Sequence, residues 1–121
     1  MIETRGLHIS LAVKSPERTL AFYQSIFGLK EAQRGETWIT AHGPREGDLW
    51  AFEKDEAAAG AAGGVRHLGF RLAHRDALDR AITDVEQAGG KFLSRGEMDR
   101  GSPYAYVSDP DGSVLELWCE D

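Results

Sequence analysis

The sequence holds a single cysteine, Cys119, among 121 residues. One thiol cannot form an internal disulfide, so the sequence predicts a protein of a reducing compartment, the cytoplasm. No apolar run approaches the roughly 20 residues that span a bilayer. Glu3 and Arg5 also interrupt the start, where a secretory leader would be apolar. We therefore expect neither a signal peptide nor a membrane partner.

Positive charge is scarce as well. Fourteen Lys and Arg residues stand against 20 Asp and Glu residues, which gives a net charge of -6. Proteins that bind nucleic acid or anionic membranes through charge usually carry a basic excess. The acidic balance therefore favours a small-molecule partner and argues against nucleic acid. A chain of this length predicts one domain, 1–121, which buries roughly two-thirds of its unfolded surface.

The first half of the sequence predicts a strand, a helix and three further strands. Apolar residues alternate over Gly6–Val13, which predicts a half-buried strand with His8 and Ser10 on its less apolar side. Ser15 followed by Pro16 is typical of a helix start, and Gly28 of a helix end. The strands expected after the helix are 29–33, 37–42 and 48–53.

The second half repeats this pattern after a Gly- and Ala-rich stretch, 54–64, which we interpret as a linker. A strand is predicted at 65–72, with His67 on its less apolar side. A helix follows from Asp76 to Gly89, and strands follow at 91–94, 104–108 and 114–118. The two halves, about 5–53 and about 65–121, therefore indicate a duplicated βαβββ unit.

The last hairpin carries an isolated carboxylate. Asp109-Pro110-Asp111-Gly112 predicts its turn. Beyond the turn, alternation places Leu115, Leu117 and Cys119 on one side of the strand and Glu116 with Trp118 on the other. A carboxylate between apolar groups needs a partner. We expect its partners to be His8 and His67.

These motifs together resemble the vicinal oxygen chelate superfamily. This superfamily includes glyoxalase I, extradiol dioxygenases, fosfomycin-inactivating thiol transferases and bleomycin resistance proteins. The resemblance covers nearly the whole chain. It rests on His8 in GLHISLAV, Ala21-Phe22-Tyr23 before Phe27-Gly28-Leu29, His67 in RHLGF, and Asp-Pro-Asp-Gly with Glu116 four residues later.

The resemblance implies an α+β fold of two βαβββ units, whose strands form a cupped mixed β-sheet with helices on the outer face. It also implies a homodimer and a divalent metal ion, which is Fe, Mn, Zn or Ni, held by His8, His67 and Glu116. Two imidazoles and a carboxylate leave coordination positions open, where adjacent substrate oxygens can bind. The prediction is a metal-dependent lyase, thiol transferase or dioxygenase acting on a small oxygen-rich molecule. The alternative is a metal-free protein that sequesters a drug, as bleomycin resistance proteins do.

Further site residues follow from side-chain parity and are assigned to the face that carries the ligands. Tyr106 and Ser10 are the expected hydrogen-bonding groups of the reaction. Arg71 is expected either to bind a substrate carboxylate or phosphate or to form an ion pair at the end of its strand. Trp50, Phe52 and Trp118 are predicted to form an apolar wall of the substrate cavity, with ordinary core as the equal alternative. Tyr104 shares the parity of Tyr106, so either hydroxyl can approach the substrate.

The fourth metal ligand of glyoxalase I-like members has a less clear counterpart. By parity, the strand at 48–53 places Phe52 at that ligand position and turns Glu53 away from it. A shift of one residue in the strand register would reverse this. We therefore expect Glu53 to lie outside the site.

Overall fold

The structure is a computed structural model that describes residues 1–120. The chain divides into two compact units, a first from Met1 to Ala59 and a second from Gly60 onward. Each unit contains a four-stranded mixed sheet and a helix, so the α+β class and the two βαβββ units predicted from the sequence are confirmed. None of the helices in residues 1–120 is both long enough and apolar enough to cross a bilayer.

The first unit is built from β1 (His8–Val13), α1 (Pro16–Phe27), β2 (Lys30–Arg34), β3 (Trp38–His42) and β4 (Leu49–Lys54). The order in the sheet is β1-β4-β3-β2, with β1 parallel to β4 and the other pairs antiparallel. Ser15 caps α1 by accepting a hydrogen bond from the Arg18 amide, and Gly28 ends it at a φ of 69°.

Helix α1 covers one face of this sheet. Tyr23 is fully buried and stacks on Phe52 at 5.6 Å between ring centroids, with Trp50 at 4.7 Å. The opposite face carries no helix of its own unit, because α1 is the unit's only helix within the described residues. One face therefore forms the core, and the other face is available for a site.

The second unit repeats this architecture with β5 (Leu68–Arg71), α2 (Leu78–Gln87), β6 (Lys91–Glu97), β7 (Pro103–Ser108) and β8 (Val114–Trp118). A one-turn 3-10 helix at Arg75–Ala77 leads into α2. The sheet order is β5-β8-β7-β6, again with the outer first strand parallel to the last. The identical connectivity of the two sheets supports the predicted duplication.

The turn between β7 and β8 forms as its sequence predicts. Asp109 is buried, and its Oδ1 accepts hydrogen bonds from the amides of Asp111 at 2.9 Å and Ser113 at 3.0 Å. Gly112 takes a φ of 98°, in the region that glycine favours. The turn therefore fixes where β8 begins and, with it, the position of Glu116.

Candidate metal centre

The face of the second sheet opposite its core gathers polar and aromatic side chains. Glu116 pairs with Gly69 on β5 and with Tyr106 on β7, and Trp118 pairs with Tyr104. Paired residues project to the same side of a sheet, so these side chains share one face. The alternate residues Leu115 and Leu117 and the following Cys119 are buried in the core, as predicted.

His67 and Glu116 face each other at the centre of this surface. The His67 Nε2 atom lies 3.5 Å from the Glu116 Oε1 atom, and the Glu116 side chain is only 14% exposed. This separation is longer than an ordinary N–H···O hydrogen bond of about 2.7–3.2 Å. Two donors that each lie about 2.1 Å from one ion would be separated by roughly 3.0–3.4 Å. The pair is therefore not joined by an ordinary hydrogen bond, and its separation is close to that expected for two ligands of one ion.

Tyr106 completes the immediate surroundings of the pair. Its ring meets the His67 imidazole edge-on, with 5.3 Å between the centroids. Burial raises the pKa of the Tyr106 hydroxyl, and the hydrogen bond to Glu116, its negative charge and nearby Tyr104 raise the pKa further. The phenol therefore stays protonated at neutral pH and donates its hydroxyl hydrogen to the Glu116 carboxylate.

Tyr104 lies beside Tyr106, and its position depends on a glycine. The two rings meet edge-on at 5.5 Å. Gly96 pairs with Tyr104 across β6 and β7, and a Cβ at this position would come within 2.7 Å of the Tyr104 hydroxyl oxygen. The Tyr104 ring therefore occupies the space that any other residue at position 96 would need.

Replacing Gly96 by alanine is expected to displace the Tyr104 ring and to change its contact with Tyr106. The cost in stability should be small, because the flexible end of the tyrosine can move. Gly69→Ala is the matched control on the same face, since its Cβ would lie 3.7 Å from the nearest heavy atom. Nuclear Overhauser contacts between the two tyrosine rings report the result. Unchanged contacts in Gly96→Ala would contradict this account of Tyr104.

Arg71 and Trp118 form the outer part of the same face. The Arg71 guanidinium carbon lies 5.5 Å from the centre of the Trp118 ring, a cation–π contact. Arg71 Nη2 is also 3.2 Å from Glu120 Oε1. The sequence left open whether Arg71 would bind a substrate anion or pair with an acidic residue. In this structure it forms the ion pair, with Glu120.

In the first unit, the corresponding face carries His8, Ser10 and Glu53. Ser10 pairs with Ala51, and Ala12 pairs with Glu53, so the side chains of Ser10, Ala51 and Glu53 project to one side. The Ser10 hydroxyl donates a hydrogen bond to Glu53 Oε2. The prediction that Glu53 turns away from this face is therefore wrong.

The register also shows which residue occupies the place of Glu116 in the first unit. Glu116 pairs with Gly69, two residues after His67, whereas Ala51 pairs with Ser10, two residues after His8. Ala51, not Phe52, therefore holds the equivalent position. Alanine offers no donor atom for a metal ion, so the first unit has a histidine, His8, but no carboxylate at the position equivalent to Glu116. Its nearest carboxylate on this face of β4, that of Glu53, lies two residues further along the strand.

Trp50 and Phe52 do not lie on the face predicted for them. They pair with Ile9 and Leu11, on the side covered by α1, and are 1% and 0% exposed. The Trp50 indole also donates a 2.8 Å hydrogen bond to the Gly43 carbonyl oxygen. The face predicted for them is therefore wrong, and of the two alternatives, cavity lining and ordinary core, both residues take the core of the first unit.

Within residues 1–120, no group of three or more His, Cys, Asp or Glu side chains is close enough to hold a metal ion. The predicted ligands are divided between the units, with His8 in the first and His67 and Glu116 in the second. The second unit alone offers an imidazole, a carboxylate and a phenol, a donor set that suits a divalent ion of the first transition row. The full set of three ligands stays a prediction.

Comparison with known proteins shows what the chain is similar to. The sequence profile of the Glyoxalase/Bleomycin resistance protein/Dioxygenase superfamily matches residues 5–117. Metapyrocatechase of Geobacillus stearothermophilus is 24% identical to this chain. The match covers 93% of this chain but only about a third (34%) of metapyrocatechase. Glutathione transferase FosA of Serratia marcescens is 30% identical, with 91% of this chain and 77% of that protein covered.

The fold likewise has solved counterparts. The crystal structure of the fosfomycin resistance protein FosX from Listeria monocytogenes, complexed with Mn(II) and sulfate, superposes with a TM-score of 0.78. The match covers 94% of this chain and 88% of the FosX chain at 20% sequence identity, and therefore concerns the fold alone. From the profile match over residues 5–117, the chain belongs to the glyoxalase/bleomycin resistance protein/dioxygenase superfamily.

Proposed function

We propose that the protein is a metal-dependent enzyme that acts on a small oxygen-rich substrate, with a divalent ion held by His8, His67 and Glu116. The observation that carries this proposal is the 3.5 Å separation of His67 Nε2 and Glu116 Oε1. The Glu116 carboxylate is largely buried and forms no ion pair with a lysine or arginine among residues 1–120. A buried negative charge needs a positive partner, and a cation bound between Glu116 and His67 would supply it.

The relatives support a metal-dependent reaction of this kind. FosX was solved with Mn(II), and the matched proteins include a glutathione transferase and a metapyrocatechase. Imidazole and carboxylate donors suit Fe, Mn, Ni and Zn alike, so the identity of the ion is part of the experiment below.

A divalent ion at this place would supply Lewis-acid polarisation of two adjacent substrate oxygens. The residues of the chain would orient the substrate and handle its protons. Tyr106, which contacts both His67 and Glu116, would turn its hydroxyl from Glu116 to a substrate oxygen and donate a hydrogen bond there. In the first unit, Ser10 and Glu53 form a hydrogen-bonded pair on the face of His8, where the Glu53 carboxylate can accept a proton.

The proposed ligand set requires His8 to meet a second unit, either within one chain or across a homodimer. Both arrangements use the same three residues. A mixture of His8→Ala and His67→Ala chains would restore one intact centre per dimer only if the ligands are exchanged between subunits. We propose the homodimer on the basis of the family's fold and leave both pairings open to this test.

A second candidate function is metal-free binding of an aromatic or cationic drug. It is favoured by the aromatic surface of Tyr104, Tyr106 and Trp118. In this case His67 and Glu116 would act as hydrogen-bonding groups toward the drug.

Elemental analysis of the protein, purified without a polyhistidine tag, separates the two functions. We expect about one divalent ion per chain, lost in His67→Ala and retained in His74→Ala, whose exposed histidine lies outside the site. A protein that is metal-free and fails to take up Mn, Fe, Ni or Zn would contradict the enzyme proposal. Quenching of Trp118 fluorescence by aromatic drugs would then support the second function.

A further inference from the structure

A groove at one end of the first sheet gathers cationic side chains in a protein of net charge -6. The groove has a volume of about 390 Å³ and is lined by Lys30, His42, Arg45 and Glu46, together with glycines at 28, 43 and 47 and Pro44. Lys30 and Arg45 against Glu46 leave the groove with a net positive charge, which attracts anions to this part of an acidic protein. None of the proposed metal ligands lines this groove.

The strand register places two nitrogen donors of the groove side by side. Lys30 pairs directly with His42 across β2 and β3, so the ammonium group and the imidazole can both donate hydrogen bonds to one bound anion. Lys30, His42 and Arg45 form no ion pair with any residue in 1–120. Among the described residues, Glu46 is the one acidic side chain that lines the groove with them.

The loop that forms the other wall is held in place by hydrogen bonds. The Gly43 carbonyl accepts from the Trp50 indole at 2.8 Å, and the Gly43 amide donates to the Asp48 carbonyl at 3.2 Å. Asp48 in turn accepts from the Leu7 amide through its side chain, at 3.1 Å. Arg45 therefore projects from a fixed loop, and the groove is largely formed before a ligand arrives.

The register also relates the groove to the proposed centre. His42 pairs with Leu49, and Leu49 pairs with His8, so Lys30, His42 and His8 belong to one row on one face of the sheet. With strands about 4.8 Å apart, His42 and His8 are separated by roughly 10 Å across β4. A molecule of several bonds in length can span this distance.

We propose that the groove of Lys30, His42 and Arg45 is an anion-binding site that takes the phosphate or carboxylate group of a small molecule. Its place in the row of His8 makes it the recognition site for the charged end of the substrate. This last role rests on the proposed function, whereas the anion site itself is independent of the metal.

The test is a titration of the full-length, chelator-treated protein with inorganic phosphate, and separately with acetate, followed by amide and imidazole NMR at constant ionic strength. We expect saturable shifts confined to residues 43–47, Lys30 and His42. Lys30→Gln and Arg45→Gln should each weaken phosphate binding about fivefold. Arg80→Gln, the same charge change on the exposed surface of α2, should leave it unchanged.

Saturation by phosphate alone would identify a phosphate-bearing ligand, and saturation by acetate as well would extend the class to carboxylates. Shifts that sodium chloride reproduces, or equal binding by Lys30→Gln and the wild type, would overturn the proposal. Because no metal is present, this result does not depend on the metal analysis, and either proposal can fail without the other.

Discussion

Replacing Glu116 by glutamine is expected to lower the affinity for a divalent ion by more than about a hundredfold. Removing groups that only orient metal ligands costs about 10–100-fold, and Glu116 is proposed as a ligand itself. Glutamine keeps the size of the side chain and loses its negative charge. Isothermal titration with Mn(II) or Zn(II) measures the loss, and a variant that binds as tightly as the wild type would contradict the role of Glu116.

The same substitution has a second readout in the metal-free protein. Burial and the Glu116 carboxylate both raise the pKa of Tyr106, so Glu116→Gln should lower that pKa toward its ordinary value. Tyrosinate absorbance during an alkaline titration reports the change, and Tyr106→Phe identifies which step belongs to this hydroxyl. Glu120→Gln is the matched control, because Glu120 is exposed and pairs with Arg71. An unchanged Tyr106 pKa in Glu116→Gln would show that the carboxylate does not act on the phenol.

Replacing Trp50 by phenylalanine is expected to destabilise the protein by about 2–3 kcal/mol without a direct effect on the proposed metal site. The change leaves a cavity beside Tyr23 and removes the donor to the Gly43 carbonyl oxygen. Denaturant unfolding measures the loss. Because the loop from Gly43 carries Arg45, the substitution should also weaken phosphate binding in the groove.

Trp38→Phe is the control for this prediction. Trp38 lies on the opposite face of the same sheet and is 37% exposed, so its replacement should change stability by no more than about 0.5 kcal/mol. A Trp50→Phe variant with wild-type stability but altered metal affinity would instead place Trp50 in the site.

The elements of the fold are readable from the sequence because their ends carry local signals. Ser15 and Gly28 cap α1 where the sequence predicts its ends, and Asp109 to Gly112 forms the predicted turn. Boundaries fixed by pairing are less predictable. β5 begins at Leu68 and not at 65, and β6 runs on to Glu97, where it pairs with Pro103. These limits depend on where the partner strand lies.

The face on which a site residue lies can be predicted where apolar and polar residues alternate clearly along the strand. The prediction fails where they do not. On β8, Leu115 and Leu117 alternate with Glu116 and Trp118, so one buried face follows at once. On β4, Leu49, Trp50, Ala51 and Phe52 are all apolar, so hydrophobicity cannot decide which parity faces the helix. Only the pairing with β1 does so, and it places Glu53 beside Ser10 and leaves Trp50 in the core.

The most direct test of the central claim is a Mn(II) titration, followed by electron paramagnetic resonance, of the untagged protein and its His8→Ala variant. One centre built from both units predicts about one bound Mn(II) per chain in the wild type and none in His8→Ala. His42→Ala, on the same face of the first sheet, should bind as the wild type does. Full Mn(II) binding by His8→Ala would show that the centre does not include His8 and would contradict the account.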